Sequence, residues 1–109
     1  MREFAIELSE LQAKKKARIV LGNTAILLVD VNGTPYAIAD KCPHFGASLY
    51  QGELDSGVVK CKAHGAKFDV VTGEITDKPH LLFLKMPAKS VKTFPTFVDA
   101  GKVYVELIF

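Results

Sequence analysis

Two short arms, Cys42-Pro43-His44 and Cys61-Lys62-Ala63-His64, hold both cysteines and two of the three histidines in this 109-residue chain. Each arm pairs one thiol with one imidazole, and a glycine follows each histidine closely, at Gly46 and Gly65. Sixteen residues separate His44 from Cys61. A fold that brings the arms together forms a pincer of two soft sulfur donors and two imidazoles, a donor set suited to a transition metal.

The mixing within each arm narrows the choice. Structural zinc sites usually take their cysteines from one arm and their histidines from the other. A [2Fe–2S] cluster with Cys₂His₂ ligation needs two thiolates on one iron and two imidazoles on the other. Mixed arms of Cys-x-His and Cys-x₂-His reach across both irons, as that arrangement requires. Zinc, a redox dithiol and four unrelated loop residues are the competing readings.

At 109 residues the chain is expected to be one domain with a single modest core. A formal net charge of +2 gives no reason to expect a nucleic-acid partner. The run Lys14-Lys15-Lys16 with Arg18 reads as a solvated strand or turn face. No apolar run reaches about 18 residues. Met1-Arg2-Glu3 opens directly into folded-looking sequence, so neither a membrane anchor nor a secretory signal is expected, and a cytoplasmic protein is. Both cysteines belong to the arms, which leaves none for a disulfide and fits a reducing compartment.

Taken in order, the chain reads as short strands and turns. Phe4, Ile6 and Leu8 alternate with charge, as in a half-buried strand. Ser9-Glu10-Leu11-Gln12 is read as a turn, being too short for a helix. Strands are expected over Ala17–Leu21, Thr24–Val31 and Tyr36–Ala39, with a tight hairpin at Asn32-Gly33. Leu54 and Val58-Val59 flank a turn at Asp55-Ser56-Gly57, and Phe68, Val70 and Val71 lead into one at Thr72-Gly73. Val91–Val98 and Val103–Ile108 make a last hairpin across Asp99-Ala100-Gly101. Eight to ten short strands and no convincing helix predict an all-β domain.

The arms and their surroundings resemble the Rieske iron–sulfur proteins, in particular the small soluble Rieske ferredoxins. The matching residues are Cys42-Pro43-His44-Phe45-Gly46-Ala47 with Leu49 and Gly52, Cys61–Asp69, and Thr72-Gly73-Glu74. The ending, Phe94–Val98 and Gly101–Val105, is also family-like. The resemblance implies a [2Fe–2S] cluster held by Cys42, His44, Cys61 and His64. It also implies a Rieske fold of three antiparallel sheets, one domain over residues 1–109. A small cluster-binding subdomain, approximately 41–72, would be inserted in a barrel-like base.

With two thiolates, two sulfides and two neutral imidazoles, such a cluster is uncharged when oxidised, so an electron enters more readily than in a four-thiolate cluster. Bound imidazole also brings a pH dependence. High-potential Rieske proteins carry an extra cysteine in each loop and hydroxyl donors to the cluster, and the corresponding positions here look like Ala47, Ala63, Ala66 and Phe68, which lack those groups. The resemblance therefore implies the low-potential type, near about −150 mV. Before Pro87-Ala88 lies an extra segment, Asp77–Met86, read either as an extended hairpin or as an apolar collar for a partner. His80, within it, is read as a surface histidine and not a ligand.

The function implied is a one-electron carrier rather than an enzyme, taking electrons from a ferredoxin reductase and passing them to a terminal oxygenase or similar acceptor. Lys41, Lys62 and Lys67 flank the arms and would steer an acidic partner. No nucleic acid, no membrane, and a monomer or weak homo-oligomer are expected. The alternative is a small Rieske subunit of a stable multi-component oxidoreductase of the nitrite reductase or arsenite oxidase type.

Overall fold

Ile26-Leu27-Leu28-Val29 forms the centre of the molecule, since all four consecutive side chains are fully buried. Successive strand residues point to opposite faces, so such a run must be covered on both sides. The computed structural model describes residues 2–42, 47–62, 65–77, 80–81, 84–85 and 90–107, with 77, 80–81 and 84–85 described by backbone alone.

The run belongs to strand β3 (Thr24–Val31), in a middle sheet with β2 (Lys16–Leu21), β4 (Thr34–Ala39) and β11 (Thr93–Phe94) in the order β11-β4-β3-β2. On one side, Ile26, Leu28 and Ala37 pack against Ile6, Val103 and Val105. Those residues lie in a three-stranded sheet of β1 (Arg2–Glu7), β13 (Lys102–Glu106) and β12 (Thr96–Asp99). On the other side, Leu27, Val29 and Ile38 pack against Val59 and Phe68. Those come from a third sheet, β5 (Glu53–Asp55), β6 (Val58–Lys60), β7 (Lys67–Asp69) and β8 (Ile75–Asp77), paired in chain order. Every ladder is antiparallel. The expected all-β architecture of three antiparallel sheets is present. No ladder joins the first and middle sheets among the described residues, so the base is two facing open sheets and not a closed barrel.

The turns follow their chemistry. Asn32 and Gly33 both have positive φ, 52° and 89°, which the two-residue turn between β3 and β4 requires. Thirteen strands among the described residues exceed the eight to ten expected, because short ladders such as β11 and the separate pair β9 (His80–Leu81) and β10 (Leu84–Lys85) fall below what periodicity resolves. The extra segment therefore makes its own two-stranded ladder. Its apolar side chains, and with them the collar reading, lie outside the described residues.

The expected turn at Ser9–Gln12 is instead part of a helix, α1 (Leu8–Lys14). Seven residues are too few to hold a helix alone. Tertiary burial stabilises it, because Leu11 is fully buried in the core beneath the first sheet. Lys14 bonds Glu10 one turn back at 2.7 Å, and this hydrogen bond, then the carboxylate charge, raises the lysine above its ordinary pKa. The helix stops at Lys15, whose left-handed backbone (φ 74°) lets its N–H donate to the Leu11 carbonyl. Leu11→Ala is expected to destabilise the fold by about 2 to 3 kcal/mol by opening a cavity. Urea unfolding checks it: the midpoint should fall with the slope unchanged.

The first strand also departs from simple alternation. A register shift between Phe4 and Ile6 turns Ile6 inward while Phe4 stays 50% exposed, edge-on to Tyr104.

Candidate metal centre

Cys42 and Cys61 are both buried, and they belong to one core cluster between the middle and third sheets, with Leu49, Val59, Ala66 and Phe68. The fold thus brings the two thiol-bearing arms to the same end of the molecule. His44 and His64 lie outside the described residues. In sequence each falls inside a loop whose two ends are described.

Those loops are closed in the same way. The Cys42 N–H donates to the Ala47 carbonyl at 2.7 Å, and the Cys61 N–H donates to the Ala66 carbonyl at 2.6 Å. Each cysteine therefore reaches five residues ahead, and each histidine lies between the bonded residues. The second loop has an inner turn, with the Gly65 N–H on the Cys61 carbonyl at 3.1 Å. Gly65 sits at φ +78°, where a side chain is disfavoured. Behind each loop a fully buried residue anchors the exit, Leu49 after the first and Phe68 after the second.

The first loop has a further anchor that sequence reasoning missed. Asp40, two residues before Cys42, has a fully buried side chain. Its Oδ2 accepts from Arg18 Nε at 2.7 Å and from Ser48 Oγ at 2.6 Å, and its Oδ1 accepts from the Tyr50 N–H at 2.7 Å. One carboxylate thus ties strand β2 to both residues that follow the loop. A buried charge with three such donors is compensated.

Lys16 adds a second tie. Its Nζ donates to the carbonyls of Tyr50 and Gly52, at 2.6 and 2.9 Å, and lies over the Tyr50 ring. These carbonyls belong to and follow the 3₁₀ turn Leu49–Gln51, where helical partners run out. Lys16 and Arg18, expected on a solvated face, are structural clamps, because β2 runs beside the first loop's exit. The one available signal was a lone carboxylate between the apolar run Tyr36–Ala39 and the first arm.

Gly52 and Gly73 mark close backbone approaches. A Cβ on Gly52 would overlap the Lys60 carbonyl oxygen, and one on Gly73 would overlap that of Val91. The first contact presses the exit of one arm against the entry of the other. A recess of about 520 Å³ opens there, lined by Gln51, Gly52, Glu53, Lys60, Cys61, Lys62 and Gly65.

No helix among the described residues is long and apolar enough to cross a membrane. The Rieske [2Fe–2S] domain family matches residues 3–95. The chain is 38% identical over 96 residues to human apoptosis-inducing factor 3, covering 88% of this chain and 15% of that protein. It therefore spans about a seventh of that relative's length. It is 36% identical over 84 residues to the 3-phenylpropionate/cinnamic acid dioxygenase ferredoxin subunit of Escherichia coli K12, covering 75% of this chain and 72% of the relative. Among solved structures, it superposes with a TM-score of 0.76 and 30% identity on a chain of the complex of reduced oxygenase and oxidized ferredoxin in carbazole 1,9a-dioxygenase, covering 95% of this chain and 91% of the other. A family match over most of the length, joined to a shared three-sheet fold and paired cysteine loops, means that the chain belongs to the Rieske [2Fe–2S] domain family, whose cofactor is a [2Fe–2S] cluster.

Proposed function

We propose that this chain is a one-electron carrier that accepts an electron from a reductase and delivers it to a terminal oxygenase or similar acceptor. The observation that carries the reading is the pair of buried cysteines on loops closed by matching hydrogen bonds. That donor set fits the cofactor, because thiolates sheltered in an apolar core neutralise iron without competition from water. Cys42, His44, Cys61 and His64 are the proposed ligands, within one domain whose cluster-binding part runs from about residue 41 to 72. Bound there, the cluster supplies a reversible one-electron couple.

The chain's own part is to hold and shelter. Asp40, Lys16 and Arg18 fix the first loop, Gly65 allows the second to turn, and Leu49 and Phe68 close the floor. Similarity to a dioxygenase ferredoxin subunit and to a chain in an oxygenase–ferredoxin complex supports an oxygenase as acceptor. With no catalytic group of its own proposed, the chain is a component of an oxidoreductase system placed in the cytoplasm. A second reading is the small Rieske subunit of a stable multi-component oxidoreductase, and its support is the much longer relative, in which a matching segment is joined to further protein.

Metal analysis of purified protein tests the centre. Wild type should contain iron and acid-labile sulfide in equal amounts and bleach with dithionite. Cys42→Ser, Cys61→Ser, His44→Ala and His64→Ala should each lose most of the visible absorbance. Zinc in place of iron, or full pigment in these variants, would refute the assignment.

A further inference from the structure

Residues 41–52 and 60–67 contain four lysines, Lys41, Lys60, Lys62 and Lys67, and no aspartate or glutamate. All four are exposed. None is within ion-pair distance of a described carboxylate, although other surface lysines such as Lys14 and Lys102 are paired. Lys60 and Lys67 stand directly opposite each other on β6 and β7, one just before Cys61 and the other just after Ala66. Like charges in that position are unfavourable, so the fold gains nothing from the pair. Lys60 and Lys62 line the recess that reaches Cys61. The neighbouring acidic residues are Glu53, opposite Lys60 and also lining the recess, and Asp77, whose backbone pairs opposite Lys67. Both lie on the outer strands of the sheet, and Glu53 is one carboxylate against the two lysines of the recess.

We propose that this loop end is a docking face for a redox protein whose own contact surface is acidic, with carboxylates entering the recess between Lys60 and Lys62. This rests on the electron-carrier reading and names the chemistry of its partner. Charge complementarity selects the occupant. A second copy would present the same four lysines and be repelled, while an acidic face is drawn to the site where an electron must cross. Exposed charges act within about one Debye length, about 10 Å at 0.1 M salt, so steering from lysines flanking both cysteines is local to the loops. Complementary fields of this kind raise encounter rates and set orientation more than they raise affinity.

The test uses two protein probes with the cluster-loaded chain. A reduced acidic plant-type ferredoxin serves as electron donor, and basic cytochrome c accepts from the dithionite-reduced chain. The donor reaction should slow about tenfold or more as salt rises from about 10 mM to about 500 mM, while the cytochrome c reaction should speed up. In Lys62→Glu/Lys67→Glu both trends should reverse. The carboxylate introduced at position 67 would exchange the like-charge pairing with Lys60 for an opposite-charge one and the opposite-charge pairing with Asp77 for a like-charge one, so folding should be retained. Arg2→Glu/Lys102→Glu makes the same charge change on the first sheet, beyond the middle sheet, and should leave the trends as in wild type. Rates insensitive to salt, or equal responses of the two double variants, would overturn the docking face. Retention of the wild type on duplex DNA or phosphatidylserine vesicles at physiological salt would overturn the choice of a protein partner. A chain that dithionite does not reduce would instead sink the carrier reading, a separate failure.

Discussion

Asp40→Ala is expected to lower stability by about 3 kcal/mol, at about 1 kcal/mol for each of three lost hydrogen bonds, and to weaken iron retention. The Arg18 side chain is 45% exposed and regains water, so its share is at the low end. Ser48 and the Tyr50 N–H have less access to solvent and bear more of the loss. The structural consequence is local. Lys16 still grips the Tyr50 and Gly52 carbonyls, but among the described residues the link from Ser48 through Asp40 to β2 is lost. Asp40→Asn should cost less, because its amide oxygen still accepts from Tyr50 N–H while its NH₂ meets the Arg18 and Ser48 donors without accepting from either. Urea unfolding of the metal-free chains and iron per chain after dialysis against a chelator would measure both effects. If Asp40→Ala keeps the wild-type midpoint and its iron, the carboxylate is not what holds the loop.

What could be read from the residues alone was chemistry that closes locally. Asn32-Gly33, Ser56-Gly57 and Ala100-Gly101 all adopt the positive φ their turns need, and each pair is adjacent in sequence. The pairing of the two cysteine arms was legible for the same reason, since residue types at short spacing stand out without knowledge of the fold, and Cys42 and Cys61 do meet in one buried cluster. Helix α1 was not, because its stability comes from Leu11 meeting a core shared with Phe94, Val103 and Val105, over eighty residues away in sequence. Lys16 and Arg18 were misplaced for an equivalent reason. Their partners lie 22 to 36 residues further on, and a cation bound to a distant carbonyl looks like a solvated one in sequence. The register shift that exposes Phe4 is a property of the β1–β13 pairing and has no signature in β1 itself. The run Ile26–Val29 was read only as part of a strand, and its cover on both faces comes from the two sheets packed against it.

Gly52→Ala separates a steric requirement from a conformational one. Gly52 has φ −84° and ψ 176°, a backbone any residue adopts, so alanine meets no torsional objection there. The objection is the Lys60 carbonyl oxygen, which occupies the place a Cβ would take, with the Lys60 carbonyl carbon at 3.0 Å and the Leu49 oxygen at 3.3 Å. All three are main-chain atoms, so relief requires moving either β6 or the 3₁₀ turn. One leads into Cys61 and the other follows the loop of Cys42. Overpacking against backbone on this scale should cost about 3 kcal/mol and shift the two arms relative to each other. Gly101 gives the contrasting control. It sits at φ +75° with nothing within 4 Å of a built Cβ, so Gly101→Ala should cost only the left-handed penalty, about 1 kcal/mol, far from the arms. Thermal unfolding and visible absorbance of the two variants should therefore diverge, with Gly52→Ala losing both stability and pigment and Gly101→Ala losing a little stability alone. Equal losses in the two would mean that the close approach at Gly52 is relieved without disturbing the cysteine loops, and that it does not set their spacing.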